Sequence, residues 1–123
     1  MLGYQQINFE VEMDKLFGAA LAVLMFCSSA HASNGMASYY KSGRRTANGE
    51  RFYPNGFTAA HRKFPFGTWL KVTNLSNKRY VIVRVNDRGP FVRGRVLDVS
   101  YGAAKELGMV GRGVARISYD VVN

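Results

Sequence analysis

The stretch VRVNDRGPFVRGRVLDVS, residues 83–100, decides how this chain is read. It opens inside an apolar, β-branched run from Val81 to Val85, the composition of a buried strand. Asn86, Asp87, Arg88, Gly89 and Pro90 then supply turn chemistry: short polar side chains, a permissive glycine and a fixed proline φ. Asp87 therefore stands where a strand runs out into a loop, a usual place for working residues. After Phe91, Arg93 and Arg95 flank Gly94, and a second apolar run follows, Val96-Leu97-Asp98-Val99. Alternation puts Asp98 on the face of Val96, away from Leu97 and Val99. An ionised carboxylate there is costly unless it is paired, hydrogen-bonded or turned toward a cleft. Two acids framed by strands and turns mark a candidate site.

Short strands and turns continue on both sides of this stretch. Thr68 to Leu75 and Arg79 to Val85 read as two strands joined through Ser76-Asn77-Lys78, a hairpin. Upstream, Ser38-Tyr39-Tyr40 is expected to begin an edge strand, and Gly43 with Arg44 and Arg45 marks a loop. Asn48-Gly49 and Pro54-Asn55-Gly56 are turns, and Phe57 to His61 reads as a short apolar strand with His61 near its end. Downstream, Ser100 is a good N-cap for a helix from Tyr101 to Leu107, with Gly108 as its stop. The last strand, Val114 to Val122, alternates, with Ala115, Ile117, Tyr119 and Val121 on one face. Several short strands with one short helix predict a mainly β fold, a small closed barrel.

The first 32 of the 123 residues read as a leader rather than as part of that barrel. Lys15 precedes an apolar run from Leu16 to Phe26, and Ala30-His31-Ala32 ends the segment, the plan of a secretory signal peptide. The run is too short to span a bilayer as a helix. Met13 is a possible true start, and the expected domain is 33–123. A lipidation site wants a small residue before its cysteine; Phe26 precedes Cys27, so no lipoprotein is expected. Loss of Lys15 against Glu10, Glu12 and Asp14 raises the formal net charge from +9 to +11. For an exported chain that charge favours wall polymers and anionic lipid over nucleic acid, and a solvated basic face is the plain alternative.

Residues 83–100 resemble the core motif of the rare lipoprotein A family, whose fold is a six-stranded double-psi β-barrel with one or two short helices. Asn86 to Phe91 match its Asn-Asp-Arg-Gly-Pro-Phe turn, and Val96 to Ser100 the strand end that follows. The resemblance extends through Ala37 to Tyr40, Thr46 to Glu50, Thr58 to His61, Pro65 to Thr68, Val72 to Leu75 and Ala103 to Gly108. Departures are a shortened loop after Tyr40, Tyr53 where relatives are often acidic, and Phe64 in place of leucine.

The resemblance implies a lytic transglycosylase, which cuts the MurNAc–GlcNAc β-1,4 bond of peptidoglycan and leaves a 1,6-anhydro-MurNAc end. One group protonates the departing oxygen and then helps deprotonate the sugar's own C6 hydroxyl. The acid must hold its proton near neutral pH against an ordinary carboxyl pKa of about 4. By resemblance Asp87 is the acid/base, Glu50 and Asp98 tune the charge, and His61 hydrogen-bonds the site or the sugar. A turn-forming role for Asp87, a bracing role for Asp98, a solvated turn acid at Glu50 and a structural His61 are the alternatives. Asn86 and Arg88, with Tyr53 and Phe91 beside turns, are the expected substrate contacts. Tyr39, Tyr40, Phe52, Phe66 and Trp69 are expected mainly in the core.

One histidine and no cysteine beyond the leader argue against a metal centre, and no phosphate-binding loop is present, so no cofactor is expected. The expected partner is the peptidoglycan glycan strand, engaged by an exported monomer in the periplasm or wall, with no stable membrane insertion after leader cleavage. A non-catalytic, expansin-like glycan-binding or wall-loosening module is the competing function.

Overall fold

The computed structural model describes residues 32–43 and 45–122. Residues 1–31, which hold Cys27 and all of the expected leader but Ala32, lie outside the described residues, as do Arg44 and Asn123. Six strands form a closed barrel: β1 (Ser33–Tyr40), β2 (Thr58–Ala60), β3 (Trp69–Asn74), β4 (Tyr80–Asp87), β5 (Arg95–Ser100) and β6 (Val114–Val121). One helix, α1 (Tyr101–Leu107), separates β5 from β6. Around the barrel the order is β1-β5-β2-β4-β3-β6, with β6 pairing back onto β1. The β1–β5 and β2–β4 pairs are parallel; the others are antiparallel.

Alternation explains the interior. Leu70 and Val72 of β3, Val81, Val83 and Val85 of β4, Leu97 and Val99 of β5, and Ile117 of β6 are buried and form one cluster. Ala37 and Ala59 fill places where only a methyl is needed, and both are fully buried. A barrel this narrow is filled by its own side chains and encloses no channel. Val121, expected on the face of Ile117, is 48% exposed because β6 has by then reached the barrel rim.

One expectation is corrected. β1 is not an edge strand: Met36 to Tyr40 pair with β5, and Ser33 to Ser38 pair with β6. Closure leaves no free edge, which removes the template for strand addition.

The helix ends are capped as the sequence predicts. Ser100 is extended, and its Oγ accepts from Ala103 N. Gly108 takes a left-handed conformation at φ 69°, and its N–H reaches Ala104 O and Lys105 O. Ala103, Ala104 and Leu107 turn the helix's apolar side to the core. Ser100 also ties the helix start to the β1–β2 connection, donating to Gly56 O at 2.5 Å and accepting from Thr58 N at 3.3 Å. Among the described residues no helix is long and apolar enough to cross a membrane.

Candidate active site

Strand register, not sequence proximity, assembles the site. Ser38 of β1 pairs with Asp98 of β5, Asp98 pairs with Ala60 of β2, and Ala60 pairs with Asp87 of β4. Paired residues share a face, so Ser38, Asp98, Ala60 and Asp87 form one row across the outside of the barrel. Two strand spacings, roughly 9–10 Å, separate the Asp98 and Asp87 backbones, and only the Ala60 methyl stands between them.

Asp87 reaches this row through a register shift. In β4, Val81, Val83 and Val85 point inward, and strict alternation would send Asp87 inward too. The β2–β4 register slips between Ala59 and Ala60, so that Ala60 meets Asp87 and not Asn86. A bulge of this kind re-aims a side chain. Here it brings Asn86 and Asp87 to the same side.

The Thr46–Glu50 turn is fastened onto these two residues. Its Ala47 N–H donates to Asp87 Oδ1 at 2.9 Å, and Asn48 N–H donates to Asn86 O at 3.2 Å. Arg88 N–H also donates to Asp87 Oδ1 at 2.9 Å. Asp98 Oδ1 accepts from the Ser38 hydroxyl. Among the described residues the second oxygen of each aspartate makes no hydrogen bond, and neither is buried. Each aspartate is thus held by one oxygen and presents the other.

Glu50 is committed differently. Arg84 Nη1 and Nη2 grip its two oxygens at 2.9 and 2.8 Å, and Asn86 Nδ2 donates to Oε1 at 3.0 Å. The Arg84 contact, then that of Asn86, holds its pKa down at about 2, against an ordinary 4.5. Glu50 is therefore a fixed negative charge and has no proton to give near neutrality. Its lowered pKa stabilises the fold above about 4.5, and that contribution disappears as pH falls toward about 2. Because the Glu50 side chain is 40% exposed, solvent keeps the effect small. Glu50→Gln is expected to flatten the stability profile across that window, as read by acid-unfolding titrations. A profile unchanged from wild type would contradict the ion pair.

His61 directly follows Ala60, and its N–H donates to Asp87 O at 3.2 Å. Its Nδ1 accepts from both Lys63 N and Phe64 N at 3.0 Å, which assigns the ring proton to Nε2. Burial, reinforced by Arg62, Arg88 and Lys63, lowers its pKa, so the ring is a neutral donor. Phe64 stacks on it at 3.9 Å and Tyr119 meets its edge at 5.9 Å.

Beside the carboxylate row lies an open cleft of about 570 Å³. Its apolar walls are Tyr53 and Phe57 from the loop before β2, Trp69 from β3 and Ile82 from β4. Glu50, Arg84 and Asn86 edge it, so the cleft runs up to the residue preceding Asp87. Tyr53 and Phe91, expected near the substrate, are 65% and 79% exposed. Trp69, expected in the core, lines the cleft instead: β3 turns Leu70 and Val72 inward and leaves Trp69 outside. Arg88, expected to contact substrate, donates to Phe64 O at 2.9 Å and His61 O at 3.3 Å, and its guanidinium lies 3.9 Å over the Phe66 ring. It braces the 61–66 loop.

Sequence reading missed Arg84, Ser38, Thr58 and the placement of Tyr40. The alternation of Ile82, Arg84 and Asn86 carried the signal for Arg84; the others depend on register between distant strands. Tyr40 is the next outward residue after Ser38 on β1, and its ring packs on Phe52 at 5.0 Å. Among the described residues no cluster of three metal-ligand side chains occurs.

The chain belongs to the lytic transglycolase family of double-psi β-barrel domains, whose profile matches residues 32–119. It is 57% identical over 93 residues to a Nostoc sp. protein named "Probable endolytic peptidoglycan transglycosylase RlpA", covering 72% of this chain and 25% of that protein. It is 46% identical over 98 residues to the Pasteurella multocida endolytic peptidoglycan transglycosylase RlpA, covering 77% of this chain and 33% of that one. The chain thus spans a quarter to a third of the length of these relatives. Among solved structures, the Streptomyces papain inhibitor superposes with a TM-score of 0.64 at 22% identity, covering 76% of this chain and 96% of that one. A Clavibacter michiganensis expansin superposes at 0.62 and 24% identity, covering 76% and 51%. These two likenesses concern the fold alone.

Proposed function

We propose that this chain is a peptidoglycan lytic transglycosylase that acts outside the cytoplasm on glycan strands. The observation that carries the reading is the row Asp98–Ala60–Asp87 beside an aromatic-walled cleft, in a chain of the lytic transglycolase family. Tyr53, Phe57 and Trp69 offer flat apolar surfaces for sugar rings, while Arg84, Asn86 and Glu50 supply convergent polar groups, the usual make-up of a ligand cleft.

Asp87 is the acid/base. Backbone donors fix one of its oxygens, leaving the other to give a proton to the glycosidic oxygen as the bond to C1 of MurNAc breaks. The positive charge that develops on the sugar is stabilised by Asp98 and by Glu50, which Arg84 keeps ionised near neutrality. Asp87 then takes the proton of the C6 hydroxyl as O6 bonds to C1. The proton given to the leaving sugar is replaced, and no water is consumed. His61, neutral and donating through Nε2, hydrogen-bonds the site or the sugar.

Mass spectrometry of muropeptides released from purified sacculi tests the reading. Anhydro-muramyl products are expected. Sacculi that are bound but left intact by folded protein would point instead to a glycan-binding module, for which the aromatic cleft alone suffices.

A further inference from the structure

Among the described residues two buried side-chain polar atoms lack a hydrogen-bond partner, the Tyr40 hydroxyl and Asn86 Oδ1. The second follows from local chemistry: Asn86 must present its Nδ2 to the Glu50 carboxylate, which turns Oδ1 the other way. The Tyr40 hydroxyl has the Thr58 hydroxyl as a polar neighbour, which acts on it without closing a hydrogen bond of normal geometry. A phenol rotates freely about its C–O bond and usually finds a partner when buried.

Tyr40 sits beside the carboxylate row. It pairs with Ser100 on the strand that carries Asp98, and Ser38, two residues back on the same outward face, donates to Asp98. The charged groups that act on its hydroxyl are Asp98 from β5 and Asp87 from the end of β4; β2 contributes the Thr58 hydroxyl and the preceding loop the Phe52 ring. Its hydroxyl is sealed from solvent, so it reaches a substrate only through those carboxylates.

We propose that Tyr40 is a positioning residue of this site, whose hydroxyl donates to Asp87 when that carboxyl gives up its proton, with Asp98 charged beside it throughout. This role rests on the transglycosylase reading above. Burial first, with the two aspartates adding to it against the opposing effect of Thr58, pushes the phenol up to about 12. It therefore keeps its proton throughout and acts as a donor only. When Asp87 has given its proton to the leaving oxygen, the Tyr40 O–H stabilises the resulting carboxylate; when Asp87 is reprotonated by the C6 hydroxyl, the bond is released. Tyr40 neither gains nor loses a proton.

Two measurements on the purified protein test this. The first needs no activity: the Tyr40 ζ-carbon resonance, followed by NMR as pH falls through the carboxylate range, is expected to move, with one component removed by Asp87→Asn and another by Asp98→Asn. The second is Tyr40→Phe, expected to lower kcat about tenfold with KM unchanged. Its kcat profile should extend to higher pH on the basic limb, because a donor to the charged form of the acid has gone. Its melting temperature should hold or rise, since an unpartnered buried hydroxyl has been removed. A ring resonance that ignores both aspartates, a wild-type kcat in Tyr40→Phe, or a loss of activity that only tracks a fall in melting temperature would each overturn the proposal. A resonance that responds to both aspartates in a wild-type protein that releases no anhydro ends upholds the coupling and refutes the transglycosylase reading alone.

Discussion

Asp87→Asn is expected to cut the rate of anhydro-muramyl release by at least about a hundredfold, while the protein keeps its fold and its affinity for sacculi. The geometry makes this a clean substitution. The Asn side-chain oxygen can accept from Ala47 N and Arg88 N as Asp87 Oδ1 does, so the Thr46–Glu50 turn stays fastened to β4. Only the transferable proton is lost, since among the described residues the oxygen that the amide replaces makes no hydrogen bond. The melting temperature should stay within a few degrees of wild type, and the cleft walls lie on residues the change does not touch. Product release quantified by chromatography, with differential scanning fluorimetry and sacculus pull-down alongside, separates the three properties. Near-normal turnover in well-folded Asp87→Asn protein would remove Asp87 as the acid. Asp98 would then take its place, because Glu50 is held ionised down to a pKa of about 2.

Asp98 calls for two variants, since its bracing and electrostatic roles are separable. The Ser38 hydroxyl is nearly buried, and its bond to Asp98 Oδ1 crosses from β1 to β5. Asp98→Asn keeps an acceptor for that hydroxyl and is expected to lower activity at least about tenfold, by removing a charge near the developing cation, with little change in stability. Asp98→Ala leaves the Ser38 hydroxyl without a partner and should cost about 1–3 kcal/mol of stability in addition. Chemical unfolding beside the product assay reads both. Equal stability in the two variants would show that the Ser38 bond does not brace the barrel; full activity in Asp98→Asn would remove the charge from the mechanism.

Local pattern made much of this fold legible. The β3–β4 hairpin follows from alternation around Ser76-Asn77-Lys78, and the helix follows from Ser100 and Gly108, whose caps need only neighbours a few residues away. What depended on distant partners was not legible in that way. Ser33 to Tyr40 alternates like any strand, and nothing in it announces that β5 and β6 lie on both sides. The inward or outward direction of Asp87 is set by a slip against β2, some 27 residues away in sequence, and simple parity gives the wrong face. Trp69 was expected inside because aromatics dominate small cores, but parity with Leu70 and Val72 decides the matter. The resemblance supplied the four candidate residues Glu50, His61, Asp87 and Asp98; the structure adds what each is bonded to. Among the described residues the two aspartates each keep one oxygen free of hydrogen bonds, while Arg84 holds the Glu50 pKa down and burial, with the cations around it, holds that of His61 down.

In the proposed reaction the sugar's own C6 hydroxyl, and not water, attacks C1 while Asp87 moves the proton. Digestion of sacculi in oxygen-labelled water, followed by mass spectrometry of the new glycan ends, tests it most directly. The expected products are 1,6-anhydro-MurNAc ends that carry no label and that disappear in Asp87→Asn. Reducing MurNAc ends bearing the heavy oxygen would contradict the proposed reaction, because they require a water molecule that this mechanism excludes.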